Sequence, residues 1–216
     1  MEIHVVQKIL KANDEIGQTL RERFHAAGTT TINLMSAPGS GKTSLLEATI
    51  RSLGLELRIA VVEGDPDTTR DAERIAPLGV PVTQINTAGG CHLEAHLVQR
   101  AIAGFDLESL DLLFIENVGN LVCPAEFDLG ETKRVALMSV PEGHDKPAKY
   151  SKLFRKVDLV VLNKVDLLPY VDFDLGQLRC DLAKLNPSLR LIQVSCRTGE
   201  GLPEWYQWLC DLVSGP

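Results

Sequence analysis

A chain of 216 residues, 44% of them hydrophobic and with a mean hydropathy of +0.02, has the material for one α/β domain with a sizeable core. It contains no apolar run long enough to span a membrane. Its 22 Lys and Arg against 29 Asp and Glu leave a formal charge of −7, which argues against a surface built for nucleic acid. Met1-Glu2-Ile3-His4-Val5 lacks the basic stretch and apolar core of a signal peptide. Five cysteines, an odd number, point to free thiols or metal ligands in a cytoplasmic protein before a disulfide framework.

Val6, Ile9, Leu10, Ile16, Leu20 and Phe24 recur near helical spacing and predict an amphipathic helix ending around Gly28, packed on the domain or on a partner. Thr31-Ile32-Asn33-Leu34-Met35 then predicts a buried strand, and Leu45-Leu46-Glu47-Ala48-Thr49-Ile50 a helix. Between them lies Ser36-Ala37-Pro38-Gly39-Ser40-Gly41-Lys42-Thr43, followed by Ser44. Strand, Gly-rich loop and helix in that order form a phosphate-binding loop. Gly39, Ser40, Gly41 and Ser44 belong to the cradle, where backbone N–H groups and a helix N-terminus face the phosphates. Lys42 reaches the β- and γ-phosphates, and the Thr43 hydroxyl holds Mg²⁺. Ser36 stands where the pattern G-x-x-x-x-G-K-S/T has its first Gly.

Further strands are predicted over 57–62, 81–85, 111–115, 134–140, 158–162 and 189–194, with helices over 68–76, 92–103, 174–185 and 203–213. This alternation implies a mostly parallel sheet flanked by helices, the P-loop NTPase class of α/β fold. Residues 29–216 form one nucleotide-binding domain, and residues 1–28 a helical extension.

Two segments between these elements approach the γ-phosphate. Glu63-Gly64-Asp65-Pro66-Asp67 follows the strand ending at Val62, so Asp65 can reach Mg²⁺; Asp71 reads either as a catalytic neighbour or as part of a solvated acidic loop. Phe114-Ile115-Glu116-Asn117-Val118-Gly119 resembles the D-x-x-G loop with Glu116 in the Asp position, Gly119 offering its N–H and Glu116 holding Mg²⁺ directly or through water. Ras-like enzymes place a water-orienting Gln after that glycine; Asn120 stands there here, which predicts slow intrinsic hydrolysis.

Asn163-Lys164-Val165-Asp166 identifies the base as guanine. The Asp166 carboxylate accepts from guanine's ring N–H and exocyclic amine, a pair of donors that adenine lacks. Asn163 binds the other edge, the Lys164 stem packs along the ring, and Ser195-Cys196-Arg197 resembles the loop that closes over the base. The nucleotide is therefore GTP or GDP.

Cys91-His92 and Cys123 both leave the carboxyl edge of the sheet, the edge that holds the nucleotide. Thiolate with imidazole suits Zn²⁺, and a thiolate-rich square-planar set suits Ni²⁺. The same residues read equally as two partly buried thiols and a surface histidine. Three ligands fall short of a closed four-ligand site, which a two-fold homodimer donating Cys91 and Cys123 from both subunits completes. His96, one turn beyond His92, is a further ligand or a supporting group. Cys180, Cys196 and Cys210 read as structural.

With these motifs in place the chain resembles the HypB-type GTPases, nickel-insertion accessory factors of nickel–iron hydrogenase maturation. The similarity runs over most of the chain after about residue 30 and is carried above all by Glu116-Asn117-Val118-Gly119-Asn120-Leu121-Val122-Cys123-Pro124, because a generic GTPase has no reason to end that loop in Cys-Pro. It implies a GTP-dependent homodimer with Ni²⁺ or Zn²⁺ at the interface on Cys91, His92 and Cys123. It also implies partnership with a small zinc-containing nickel-insertion protein and with the hydrogenase large subunit, and contact of Lys146 and Lys149 with the neighbouring subunit's guanine. A nickel-storage segment before Cys91 is not expected, since only His4 and His25 offer ligands there. The alternatives are a urease-accessory-like metal-centre GTPase, whose Cys-Pro-His motif is here Cys123-Pro124-Ala125; a regulatory GTPase without a metal; and a P-loop kinase, for which the guanine motif would have no purpose.

Overall fold

The computed structural model describes residues 2–215, with side chains from residue 8 onward, so the expectations that rest on the Val6 and His4 side chains lie outside it. In chain order the elements are α1 (Glu2–Ala27), β1 (Thr30–Ser36), α2 (Lys42–Leu53), β2 (Ile59–Asp65), α3 (Arg70–Ile75), β3 (Val82–Asn86), α4 (Ala95–Ala101), β4 (Leu112–Glu116), β5 (Lys133–Ser139), α5 (Lys146–Lys149), α6 (Ser151–Lys156), β6 (Leu159–Asn163), α7 (Leu175–Leu185), β7 (Arg190–Gln193) and α8 (Leu202–Ser214). The seven strands form one sheet in the order β3-β2-β4-β1-β5-β6-β7, and every pairing is parallel. Parallel pairs need crossovers, and the helices supply them on both faces.

Alternation along each strand sorts the core into layers. Ile32 and Leu34 of β1, with Leu112 and Phe114 of β4, face α2 and α8, where Leu45, Leu46, Trp205 and Leu209 are buried. Leu113 and Ile115 face the opposite way, onto Leu20 and Phe24 of α1 and Val98 of α4. Met35, Met138 and Leu162 meet Phe154 of α6 and Leu178 of α7. The Trp205 indole N–H donates to Thr49 Oγ1 at 2.9 Å, which ties α8 to α2.

The expected strands are all present, displaced by a few residues at their ends. β2 is the consequential case: pairing to β3 continues to Asp65↔Asn86, so Glu63-Gly64-Asp65 is strand where a loop is predicted. In the helix predicted over 92–103, regular α structure begins only at Ala95, and Cys91 to Glu94 form a loop before it. His92 and His96 are therefore not one helical turn apart. Cys180 is exposed on α7, contrary to the structural role expected of it, whereas Cys196 and Cys210 are half-buried against the core.

Candidate nucleotide and soft-metal sites

All the candidate loops leave the carboxyl edge of the sheet. At one side Gly41, Ser44, Asn163, Lys164, Asp166, Leu167, Ser195, Cys196 and Arg197 line a cavity of about 310 Å³. Asn163 organises its wall: the side-chain N–H donates to the Ser40 carbonyl at 2.9 Å, and the side-chain oxygen accepts from Lys164 N–H at 2.8 Å and Cys196 N–H at 3.2 Å. Gly41 has φ 102°, and a Cβ there would collide with the Asn163 amide, so the loop closes only around glycine. Lys164 is held left-handed at φ 62° with its ammonium on the Gly39 carbonyl at 2.7 Å, and it lines the cavity. Asp166 accepts from the Ser195 hydroxyl at 2.6 Å, which fixes the carboxylate and leaves its second oxygen available to a base. Burial pushes the Cys196 thiol up to about 11, so this sulfur is a neutral wall group. For Asp166→Asn, guanine loses one acceptor and meets an amide donor; GDP affinity measured by titration is expected to fall about 100-fold, and preference over the xanthine nucleotide to reverse.

A second cavity of about 430 Å³ shares Gly41, Ser44 and Lys164 with the first and is lined by Lys42, Thr43, Asp65, Asp71, Arg74, Glu116 and Gly119. The Lys42 ammonium donates to Ser36 Oγ at 3.1 Å and stands 3.9 Å from Glu116 Oε1. Serine in the first-glycine position thus gives this lysine an oxygen to lean on. The Thr43 hydroxyl donates to Glu116 Oε1 at 2.9 Å. Register places Glu63 of β2 directly beside Glu116 of β4. Both are buried, and each leaves one carboxylate oxygen without a partner. Burial, then the neighbouring Glu116, pushes Glu63 up to about 8; burial pushes Glu116 up to about 7 although Lys42 pulls it down. Oxygens of Glu63, Asp65 and Asp71 lie within 4.8 Å of one another. Hard carboxylate and hydroxyl oxygens, two of them unpaired in the interior, fit Mg²⁺. Glu63 escaped the sequence reading because its neighbour across the sheet is set by register; the signal available was a glutamate closing an apolar strand.

Ser40 Oγ donates to Glu142 Oε1 at 2.6 Å, the carboxylate that also accepts from Ser139 at the end of β5; the Ser-x-x-Glu spacing signals that capping box, but not the contact by which Glu142 supports the phosphate loop. Lys146 and Lys149 follow on α5 and line neither cavity: Lys149 pairs with Asp145, and the Lys146 ammonium lies 5.6 Å from the Tyr150 ring centre.

The soft ligands do converge. Cys91 Sγ, a ring nitrogen of His92 and Cys123 Sγ lie within 4.8 Å of one another, with Cys91 Sγ 3.5 Å from His92 Nδ1. Hydrogen bonding to Cys123, then burial, raises the Cys91 thiol. Burial lowers His92, which keeps the imidazole neutral and able to coordinate, while Glu94 at 3.8 Å from Nε2 opposes that shift. The His92 ring stacks on Phe127 at 3.8 Å between centres. His96 reaches the cluster only through Glu94, whose other oxygen is 3.3 Å from His96 Nδ1.

The segment after β4 belongs to both sites. Gly119 lines the phosphate cavity, and four residues later Cys123 enters the thiol cluster. Within it, Asn117 Oδ1 accepts from Leu93 N–H at 3.1 Å, and Asn120 Nδ2 donates to the Cys91 carbonyl at 3.1 Å. The Asn120 side-chain oxygen accepts from Val122 N–H at 2.8 Å, so both ends of the group in the water-orienting position are engaged with the thiol loops.

Residues 30–193 match the family model for the CobW/HypB/UreG nucleotide-binding domain. The hydrogenase maturation factor HypB of Azotobacter vinelandii is 52% identical over 207 residues, covering 96% of this chain and 68% of that protein. The HypB of Escherichia coli K12 is 46% identical over 201 residues, covering 93% and 69%. A crystal structure of HypB from Archaeoglobus fulgidus superposes with a TM-score of 0.88 at 39% identity, covering 94% of this chain and 99% of that one. One of HypB from Helicobacter pylori in complex with nickel gives 0.90 at 37% identity, covering 94% and 95%.

Proposed function

The chain belongs to the HypB family of hydrogenase maturation factors, and from that premise we propose that it is a GTP-hydrolysing nickel carrier in which the nucleotide state sets the geometry of a thiolate–imidazole metal site. The supporting observation is the segment Glu116 to Cys123, which has one end in the phosphate cavity and the other in the thiol cluster, with Asn120 bonded to the Cys91 loop on the way. A γ-phosphate that displaces Gly119 moves Cys123 relative to Cys91 and so binds the two arrangements unequally, which is all that population shift requires.

In this reading Asp166, Asn163, Lys164 and the Ser195-Cys196-Arg197 loop select and hold guanine, while Gly39, Ser40, Gly41 and Ser44 cradle the phosphates. Mg²⁺, held through Thr43, Asp65 and Glu116, would neutralise charge on the phosphates; Glu63, beside Glu116 in the sheet and grouped with Asp65 and Asp71, offers a further carboxyl there. Lys42 stabilises the charge that develops as the γ-phosphoryl leaves, and Asp71 stands at the cavity rim. No side chain at position 120 is free to orient water, so hydrolysis to GDP and phosphate is slow without a partner. Cys91, His92 and Cys123 bind nickel as cargo, and zinc by the same donors. A homodimer formed with GTP completes the ligand set and brings Lys146 and Lys149 to the neighbouring guanine; residues 1–28, with α1 within them, are an extension of the 29–216 GTPase domain. The cargo passes through a nickel-insertion accessory protein to the hydrogenase large subunit in the cytoplasm. Among the described residues no helix is long and apolar enough to cross a membrane.

Equilibrium dialysis with nickel and with zinc, in GDP and in a non-hydrolysable GTP analogue, with mass measured in both states, tests the coupling. Nickel affinity is expected to differ about 5-fold or more between the states, the lower bound of an ordinary coupling energy. Equal affinity and an unchanged mass would refute it.

A further inference from the structure

The buried stripe of α1 is Asn13, Gly17, Leu20 and Phe24; the residues between them are exposed or half-buried. An amide in such a stripe costs stability unless both its ends are paired. Asn13 pairs both. Its Nδ2 donates to the Asp128 carbonyl at 2.9 Å, and its Oδ1 accepts from Ala95 N–H at 2.8 Å. Ala95 opens α4, three residues after His92, and Asp128 follows Phe127, the ring on which His92 stacks, five residues after Cys123. One side chain therefore joins the two segments that carry the soft ligands. The seat is reinforced around it. Arg21 donates twice to the Asp128 carboxylate, at 2.7 and 2.9 Å, and a Cβ at Gly17 would lie 2.8 Å from the Asp128 carbonyl oxygen, so only glycine lets the helix approach this closely.

We propose that Asn13 is a positioning residue for the metal site: through its amide, α1 sets the spacing of the Cys91–His92 loop against the Cys123 loop, and with it the affinity for a soft divalent ion. The inference rests on reading Cys91, His92 and Cys123 as the nickel site. Ligands from two loops are only as well placed as the loops are, and groups that hold ligands from behind tune affinity by 10- to 100-fold. A purely architectural Asn13 would instead lower the melting temperature and leave nickel binding by the folded protein alone.

The test uses the full chain, titrated with nickel against a competing chelator while the thiolate-to-nickel absorption is recorded. Asn13→Ala is expected to weaken nickel binding about tenfold, to shift that absorption, and to leave GDP affinity unchanged; Arg21→Gln is expected to act in the same direction and more weakly. Folded Asn13→Ala with wild-type nickel affinity and absorption, beside a Cys123→Ala control that has lost nickel, overturns the inference while sparing the site. A Cys123→Ala control that binds as wild type removes the site and the inference with it. If Asn13→Ala does not fold, Arg21→Gln decides, and unchanged nickel affinity there overturns it.

Discussion

A Lys42→Ala variant is expected to hydrolyse GTP about 10²- to 10³-fold more slowly in single-turnover measurements, the usual cost of removing one preorganised charge from a transition state. The Lys42 side chain is only 10% exposed, and its ammonium bridges Ser36 and Glu116 at the floor of the phosphate cavity. The other cations lining that cavity are committed elsewhere: Lys164 to the Gly39 carbonyl, and Arg74 to Glu47 and Asp71. Neither can take its place without breaking those contacts. The variant should fold, because a buried Glu116 that loses Lys42, the largest of the groups drawing its pKa down, is shifted further towards its neutral form and leaves no bare charge in the interior. Nickel affinity measured without nucleotide should not change, since Lys42 touches none of Cys91, His92 or Cys123. A rate within tenfold of wild type would remove Lys42 from the chemistry.

How much of this could be read from the residue order depends on whether the information is local. The phosphate loop and the guanine motif are contiguous, and their chemistry is written in adjacent residues; Asn163 and Lys164 stand against Ser40 and Gly39, as that chemistry requires. The parallel sheet follows from alternation of strand and helix, and the convergence of Cys91, His92 and Cys123 from both loops leaving the same edge. What local pattern does not carry is register and loop geometry. Glu63 meets Glu116 only because β2 pairs with β4 in one alignment, and the same strand continues through Asp65 although its composition turns acidic. The expected turn of helix at His92 does not form: Glu94 is extended at φ −110°, ψ 154°, and the loop before it is tied by Leu93 N–H to Asn117, 24 residues away, a contact that no local pattern carries. Asn13 is invisible for a further reason: in a helical wheel it is a polar residue on an apolar face, and only tertiary pairing with Asp128 and Ala95 makes that face its place.

Replacing Cys123 with alanine should cost nickel affinity about 100-fold or more, since deleting a ligand exceeds the 10- to 100-fold loss on deleting a group that merely supports one. Guanine nucleotide binding should be untouched, because Cys123 lines neither nucleotide cavity. The change is small in volume, and the turn from Cys123 to Ala125 keeps its buried Pro124 and Ala125, so the loop has no reason to unfold. A readout without any metal accompanies it. The Cys91 thiol is raised chiefly by its hydrogen bond to Cys123, so in the variant its pKa should fall back toward the ordinary thiol range. Alkylation of Cys91, followed by mass spectrometry as a function of pH, should then begin at lower pH than in the wild type. Loss of nickel with an unmoved alkylation profile would mean that the two sulfurs do not meet in the free protein and are brought together only by the ion. Movement of both would make the pair preformed, with the switch segment acting on a site that already exists.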